Sequence, residues 1–428
     1  MNRNLLTCVV LAAIVRLTFL AYSEIANPNP VWSLDSRHQL QAADGILAGE
    51  SDQPPYVDDV GLRYVLVLLS PFGGASLFRL QLLQVFLDSL LVAVAWRIGM
   101  LLGGLVTARL AAFLYAAFLP QVVLAVVPGY DGWATWALML PTWLLLEGLD
   151  TTRGRVAVCG FSAGFINNLL GIIRSTTTFF APFTAVVLLC YGRRRLSAFV
   201  MTGWLVVMLP LAAYNRSHFG EVRPIRGGWA HMFWAGVGQF ANDYGIQSTD
   251  QSVYALYHRL SGKTNYNSQE SDAVLASAAL NYLRDHPGHY MMSVPKRGFG
   301  IVFPKNYWGP WADEFHPHYR DLLQTFARSP FEFALNYPVT AFLGVAGRIM
   351  DWLVLPIGAI WGILALWKRP QAVVFLPFLY TLATLAPVYV TPRNTTNAYA
   401  AILPLCSFGL VRLAVHLVPL QPRSGERM

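Results

Sequence analysis

Residues 80–101, LQLLQVFLDSLLVAVAWRIGML, and residues 105–127, LVTARLAAFLYAAFLPQVVLAVV, are two long apolar runs separated by three residues. A helix needs about 20 mostly apolar residues to cross a bilayer, and each run is longer than that. The rest of the chain follows the same pattern, since 55% of its 428 residues are hydrophobic and 13% are charged. Soluble domains carry about 25% charged residues. The sequence therefore predicts an all-α integral membrane protein.

The apolar runs predict about ten transmembrane helices. They are residues 5–22, 80–101, 105–127, 133–149, 156–173, 178–191, 196–213, 350–367, 371–390 and 398–418. Short basic segments between these runs all fall on one side of the membrane if the N-terminus is cytoplasmic, as the enrichment of Lys and Arg in cytoplasmic loops requires. These segments are 97–109, 150–155, 192–195, 368–370 and the tail after 418. We therefore expect a multi-pass inner (plasma) membrane protein with both termini cytoplasmic.

This threading divides the chain into three regions. Residues 1–213 form an N-terminal transmembrane module, and its first outer loop covers residues 23–79. Residues 214–349 form a large extracytoplasmic loop region, and residues 350–428 form the C-terminal transmembrane helices and a cytoplasmic tail.

The two outer regions are predicted to contain short helices. Residues 61–72 are apolar but too short to span, which is typical of a re-entrant or interfacial helix. Residues 268–286 and 317–328 have helical patterns, and Pro287 ends the first of them. The large loop is rich in aromatic residues, so it is not expected to be disordered.

Two carboxylates are placed on the outer face by this threading. Asp35 follows the first span, and Asp131 lies in a very short outer loop between two spans. Each is a reasonable N-cap for the helix that follows it, and taken alone Asp35 is best interpreted in that way. Two carboxylates on one outer cavity are also what a general-base reaction requires, so both are candidate catalytic residues.

Several arginines lie at the outer face, against the expected charge bias. Arg174 ends one span, Arg393 precedes the last one, Arg79 begins the second, and Arg63 lies in the short interfacial segment. A single outer arginine commonly extends its side chain to lipid headgroups. Several on one face indicate a phosphate site, because guanidinium groups match phosphate oxygens.

Two further charged residues lie inside predicted spans. Arg16 is in the first span and Asp88 is in the second. Charged side chains at membrane depth are costly unless they face the bundle interior. We therefore interpret both as structural.

The order of these features resembles the GT-C glycosyltransferases, in particular their protein-mannosyltransferase-like and aminoarabinose-transferase-like branch. The similar stretches are Asp35 with the amphipathic segment ending at Leu47-Ala48-Gly49-Glu50, Pro54-Pro55-Tyr56, Ser70-Pro71-Phe72-Gly73 with Arg79, Gly160 to Pro182 with Arg174, Pro210 to Gly220, and Arg393 before a span containing Pro404. The resemblance covers the N-terminal half of the chain well and the C-terminus weakly.

The resemblance implies an inverting glycosyltransferase that takes a hexosyl or pentosyl group from a polyprenyl-phosphate donor. It implies that Asp35 is the general base, that Asp131 is a second catalytic group, and that Arg174, Arg393, Arg63 and Arg79 bind the lipid phosphate. It also implies a substrate cavity containing His38, Tyr56, Tyr130 and Arg216. The acceptor would be a protein, a lipid or a glycan.

The sequence agrees with a donor that arrives within the membrane, because it has no nucleotide-binding signature such as a P-loop or a Rossmann fingerprint. It predicts no required cofactor and leaves a divalent metal open. The formal net charge is +8, but no basic run interleaved with stacking aromatics occurs, so nucleic-acid binding is excluded.

Three other functions share part of this pattern. A transporter or flippase of a lipid-linked sugar would use the same basic cavity, but it predicts inverted repeats and short outer loops. A polysaccharide polymerase or ligase would also have a large outer loop with Arg residues. A purely structural scaffold would leave the outer acids and arginines without a use.

Overall fold

The computed structural model describes residues 3–26, 34–50, 61–149, 153–220, 222, 228–266, 268–302, 329, 349–390 and 392–417. Within these ranges the regular elements are helices, and no strand occurs. The first nine helices are α1 Arg3–Ala26, α2 Leu34–Leu47, α3 Gly61–Leu69, α4 Leu77–Ala117, α5 Leu119–Val126, α6 Asp131–Leu149, α7 Arg153–Gly171, α8 Phe180–Cys190 and α9 Arg194–Phe219.

Helix α4 is two antiparallel helices joined by a tight reversal. Gly103 and Gly104 have non-helical backbone angles, and Gly104 adopts φ 77° and ψ −161°, a conformation that suits glycine alone. A Cβ on Gly99 would lie 2.7 Å from the Cα of Ala108, so the two halves touch. In a straight helix these residues would be about 13 Å apart. The two apolar runs quoted first are therefore separated as predicted, at the two glycines.

The second of these runs is divided again, at Phe118. Helix α4 ends at Ala117, and α5 begins at Leu119 with Pro120 in its first turn. Pro120 has no backbone N–H and cannot continue a preceding helix, which accounts for the break. Helix α5 then meets α6 at a bend of 120°. The single span expected at residues 105–127 is thus a broken helix.

Helices α7 and α9 pack in close contact through small residues. A Cβ on Gly164 would lie 2.0 Å from the carbonyl oxygen of Val200, and one on Gly203 would lie 2.1 Å from that of Phe161. Close backbone approach through small residues is how membrane helices gain packing energy without a hydrophobic driving force between them. Any larger side chain at these two positions would push the helices apart.

The C-terminal region supplies the central helix of the bundle. Its helices are α14 Leu355–Leu366, α15 Leu376–Leu385 and α16 Pro392–Leu417. Residues Ala398 to Phe408 of α16 are almost completely buried, and they share one apolar core with α4, α6 and α8. Helix α16 therefore packs into the core of the N-terminal transmembrane helices.

A separate group of helices forms what we call the cap unit, residues 228–302. Its helices are α10 Trp229–Val237, α11 Asp250–Ser261, α12 Gln269–Asp285 and α13 Pro287–Val302. Its core is aromatic, with Trp234, Phe233 and Tyr282 packed edge to face, and Trp234 Nε1 donates to Leu275 O at 3.1 Å. The predicted helix at residues 268–286 is confirmed, and that at 317–328 lies outside the described residues.

Each of the ten predicted apolar runs contains at least one helical segment. Among the described residues, four helices are long and apolar enough to cross a bilayer, and the bent pair α5 and α6 would make a fifth. Others are shorter, for example α8 with 11 residues. The described residues thus have the all-helical structure of a membrane protein, while the count of ten, the orientation and the three region boundaries stay predictions.

Candidate functional site

The centre of the candidate site is an ion pair between two residues that the sequence placed on the same face. Nη2 of Arg174 lies 3.0 Å from Oδ1 of Asp131, and their side chains are only 10% and 9% exposed. Asp131 is the first residue of α6, where the helix dipole favours a carboxylate. Arg174 follows the end of α7 in extended backbone. Because both side chains are largely removed from water, their attraction is little screened by solvent.

An aromatic ring supports the same arginine. The Cζ atom of Arg174 lies 4.5 Å from the centre of the Tyr130 ring. A guanidinium at this distance from an aromatic face is attracted by the ring quadrupole, more so when it is desolvated. Tyr130 and Asp131 therefore hold the plane of the guanidinium in one orientation, as recognition of a planar or tetrahedral anion requires.

The loop that carries Tyr130 and Asp131 is held in place from two sides. Ser36 of α2 donates its hydroxyl to the carbonyl oxygen of Pro128. On the other side Gln84 of α4 donates to Gly129 O at 2.7 Å, and Gln81 donates to Val126 O at 2.9 Å. The first turn of α2 therefore lies directly against this loop.

Asp35 is the second residue of α2 and the neighbour of Ser36. Its backbone is thus beside the loop that carries Asp131. The orientation of the Asp35 side chain lies outside the described part of the chain.

Helix α3 connects α2 to the segment before Arg174. Arg63 is 3% exposed, and its Nε donates to Oε1 of Gln39 at 3.1 Å. At the start of α3, Gly61 N donates to Ile172 O at 3.1 Å, and a Cβ on Gly61 would lie 2.7 Å from Ile173 N. Only glycine permits this approach. Helix α3 thus places Arg63 between α2 and the chain that leads into Arg174.

The other predicted site residues are not brought to the ion pair by any described contact. Arg79 folds back and donates to Gly74 O, while His38 and Arg216 are exposed, on α2 and near the end of α9. Tyr56 lies outside the described residues, as does the side chain of Arg393, whose backbone is the second residue of α16.

A ladder of hydrogen-bonded, buried polar side chains begins one turn after Asp131 and links α6 to α16. Thr135, one turn after Asp131, has its hydroxyl 2.7 Å from Asn397 Oδ1 and 3.0 Å from Gln121 Oε1. Asn397 is one turn after Arg393 on α16. Helices α6 and α16 are therefore in contact one turn after Asp131 and one turn after Arg393.

The ladder continues to the charged pair that the sequence places inside the spans. Gln121 Nε2 donates to Asp88 Oδ1 at 2.7 Å, Tyr115 donates to the same oxygen at 2.8 Å, and Arg16 Nε lies 2.5 Å from Asp88 Oδ2. Arg16 is completely buried and Asp88 is 3% exposed. The prediction that both face the bundle interior is confirmed.

Apart from Arg16 and Asp88, the polar residues that hold the loop and form the ladder were not predicted from the sequence. A signal was present in α4, because Gln81, Gln84 and Asp88 are three and four positions apart and so lie on one helix face. Polar side chains aligned in this way within an apolar run indicate an internal contact. In α16 the equivalent residue is Asn397, in the first third of the helix.

The described residues contain no group of three or more His, Cys, Asp or Glu side chains arranged to hold a metal ion. The chemistry that the described site offers is that of one carboxylate, one oriented guanidinium and a second buried arginine nearby. Together these groups favour an anion such as a phosphate beside a group that can accept or direct a proton.

The sequence matches no protein-family model and no curated protein. Among solved structures the chain is similar to the archaeal oligosaccharyltransferase AglB from Archaeoglobus fulgidus, in complex with an inhibitory peptide and a dolichol-phosphate. The identity is 14% and the TM-score 0.50, and the match covers 98% of this chain and 52% of that chain. The apo form of an Archaeoglobus fulgidus oligosaccharyltransferase matches at 12% identity and a TM-score of 0.45, over 96% of this chain and 51% of that one.

The chain spans about half the length of these solved structures. AglB is a member of the GT-C class. At this level of identity the likeness to the AglB complex shows a common fold, and it confirms the GT-C-like fold that the sequence predicts.

Proposed function

We propose that this protein is an inverting glycosyltransferase that takes a sugar from a polyprenyl-phosphate donor at the extracytoplasmic face of the membrane. The observation that carries the proposal is the buried Asp131–Arg174 pair beside the first turn of α2, which carries Asp35. The chain that carries this pair is similar in fold to an oligosaccharyltransferase whose solved complex contains a dolichol-phosphate.

In this proposal Asp35 accepts the proton of the acceptor hydroxyl. The acceptor oxygen then forms a bond to the anomeric carbon from the face opposite the lipid phosphate. The bond between the anomeric carbon and the phosphate oxygen breaks, and the bonding electrons leave with the polyprenyl phosphate. Attack from the opposite face inverts the configuration, and the transition state has oxocarbenium character.

Arg174 stabilises the charge that develops on the leaving phosphate, and Arg393 does the same from the start of α16. An arginine whose plane is already fixed needs little reorganisation during the reaction, which is where electrostatic stabilisation is largest. Asp131 and Tyr130 supply that fixed orientation. Arg63 and Arg79 add positive potential on the same side.

The proposed substrate cavity contains His38, Tyr56, Tyr130 and Arg216, and the large outer region at residues 214–349 covers it. The sugar is a hexose or a pentose, and the acceptor is a protein, a lipid or a glycan. The active site faces the periplasm or extracytoplasmic space, with both termini in the cytoplasm. No cofactor beyond an optional divalent metal is required.

The proposal is tested by following a labelled sugar. The purified protein is reconstituted into vesicles with radiolabelled polyprenyl-phosphate sugars, and membranes from a strain lacking the gene are added as acceptor. We expect label to leave the organic-soluble donor and enter the acceptor fraction only when the protein is present. Label that changes leaflet while it stays bonded to the lipid would contradict the proposal and identify a flippase.

A further inference from the structure

The segment between α15 and α16, residues 386–390, is held by side chains of the cap unit. Nη1 of Arg297 donates to Ala386 O and Pro387 O, both at 3.0 Å. Tyr290 donates to Pro387 O at 3.0 Å, and Gln239 Nε2 donates to Val390 O at 2.7 Å. Three side chains from two parts of the cap unit thus bond to the main chain of one short segment.

The shapes of the two surfaces also match closely. A Cβ on Gly236 of α10 would lie 1.7 Å from the carbonyl oxygen of Val388, so this contact exists only because residue 236 is glycine. Val388 and Tyr389 pack against the aromatic core of the cap unit. At the other end of α13 the hydroxyl of Tyr399 on α16 donates to Val302 O. The segment is therefore fixed by packing as well as by hydrogen bonds.

The charge of Arg297 has a local explanation. The side chain is 3% exposed, and no carboxylate of the described residues lies within ion-pair distance of it. Its guanidinium instead meets the carbonyls that follow the end of α15, where the helix dipole is negative, and the rings of Phe240 and Tyr290 at 5.6 and 5.9 Å. Burial lowers the hydration of this cation, so its contacts with the carbonyls are stronger than at a surface.

Arg393 lies between two fixed points of the chain. Val390, bonded to Gln239, is three residues before it, and Asn397, beside Thr135 of α6, is four residues after it. The first point depends on the cap unit and the second on the membrane module. A shift of the cap unit would therefore move the start of α16 relative to Asp131 and Arg174.

We infer that Arg297 and Gln239 are positioning residues that set Arg393 for the lipid phosphate of the donor. The inference rests on the proposed function, because it takes Arg393 as a phosphate-binding residue. It gives the cap unit a second task besides covering the cavity. Loss of the contacts between the cap unit and residues 386–390 lowers the affinity for the donor phosphate, although no reacting group is removed.

The test compares Gln239→Ala, Arg297→Lys and Arg297→Met with wild type in initial rates against donor concentration. Binding of radiolabelled polyprenyl phosphate to the purified proteins is measured in parallel. Since one hydrogen bond to a fixed carbonyl is lost, we expect Gln239→Ala to raise the KM for the donor about ten-fold with kcat unchanged. Arg297→Met should raise KM more, and Arg297→Lys should recover part of the loss because it keeps the charge.

Arg284→Met is the matched control, since Arg284 is an exposed arginine of α12 in the same unit. It should behave as wild type. Elution as a single folded species in detergent establishes that Gln239→Ala is intact. A Gln239→Ala protein with wild-type KM and phosphate binding would overturn the inference.

Arg393→Ala separates the positioning role of Arg297 and Gln239 from the proposed function. If Arg393→Ala weakens binding of polyprenyl phosphate and Gln239→Ala and Arg297→Met do not, the proposed function stands and the positioning role is wrong. If wild type itself shows no saturable binding of polyprenyl phosphate, the proposed function fails.

Discussion

The carboxylate of Asp131 lies 3.0 Å from the guanidinium of Arg174, with both side chains nearly excluded from solvent. The two groups come from the start of α6 and from the chain that follows α7. Because the two charged groups are in contact, the effect of each one depends on the other. In the proposed reaction Asp131 orients the Arg174 guanidinium toward the phosphate. The Asp131 carboxylate therefore affects the reaction through Arg174.

This pairing predicts the outcome of a double-mutant cycle. Asp131→Asn removes the carboxylate charge and keeps the side-chain size, so the Arg174 guanidinium loses its fixed orientation. We expect kcat/KM for the polyprenyl-phosphate donor to fall about ten- to hundred-fold, as for loss of a buried charge partner. Adding Arg174→Gln should then cost little more than Arg174→Gln alone.

Initial rates with radiolabelled donor measure all four proteins of the cycle. Asp285→Asn, an exposed carboxylate of α12, is the matched control and should have no effect. Losses that add for Asp131→Asn and Arg174→Gln would show that the two residues work independently, against the account.

The proposed orientation predicts which positions a membrane-impermeant thiol reagent can reach. In a variant whose four native cysteines are replaced by serine, Ser277→Cys in the cap unit should react with the reagent in intact cells. Arg194→Cys at the start of α9 should react only after the membrane is opened, because that basic segment is predicted to be cytoplasmic. The reverse pattern would place the candidate site on the wrong side for a lipid-linked donor.

The buried pair Arg16–Asp88 predicts a stability effect. Asp88→Leu leaves the fully buried Arg16 without its partner, and breaking one side of a buried pair costs about 3–5 kcal/mol. The double variant Arg16→Met and Asp88→Leu should recover most of that loss, because no charge then remains buried. Melting temperature in detergent, followed by size-exclusion chromatography, measures both.

An exposed pair provides the comparison for this experiment. Arg97 and Glu147 form an ion pair whose side chains are 50% and 19% exposed, so Glu147→Gln should cost about 0–1 kcal/mol. If Asp88→Leu is as stable as Glu147→Gln, the polar ladder does not hold the bundle together.

The sequence predicted the helical segments of the membrane module because each apolar run reports directly on lipid or core contact. It also predicted the reversal between the runs at residues 80–101 and 105–127, and the common face of Asp131 and Arg174. It did not predict the break at Phe118 as a feature of the fold, although Pro120 is its local cause.

Contacts between distant parts of the chain could not be predicted from the sequence. The bonds of Ser36 to Pro128 and of Gln239 to Val390 depend on how whole helices pack. Neither partner stands out by type, since serine and glutamine are common in loops and helix ends. The contact between Asp131 and Arg174 was likewise predicted only as a shared face, because charge patterns fix sides of a membrane and not distances.

The central claim is sugar transfer with Asp35 as the general base. It is tested most directly by replacing Asp35. Purified Asp35→Asn and Asp44→Asn are compared with wild type in transfer of sugar from a radiolabelled polyprenyl-phosphate donor. Asp44 is an exposed carboxylate of the same helix α2 and serves as the matched control. We predict that Asp35→Asn is expressed and binds the donor but does not transfer sugar, while Asp44→Asn transfers at the wild-type rate. Transfer by Asp35→Asn at the wild-type rate would contradict it.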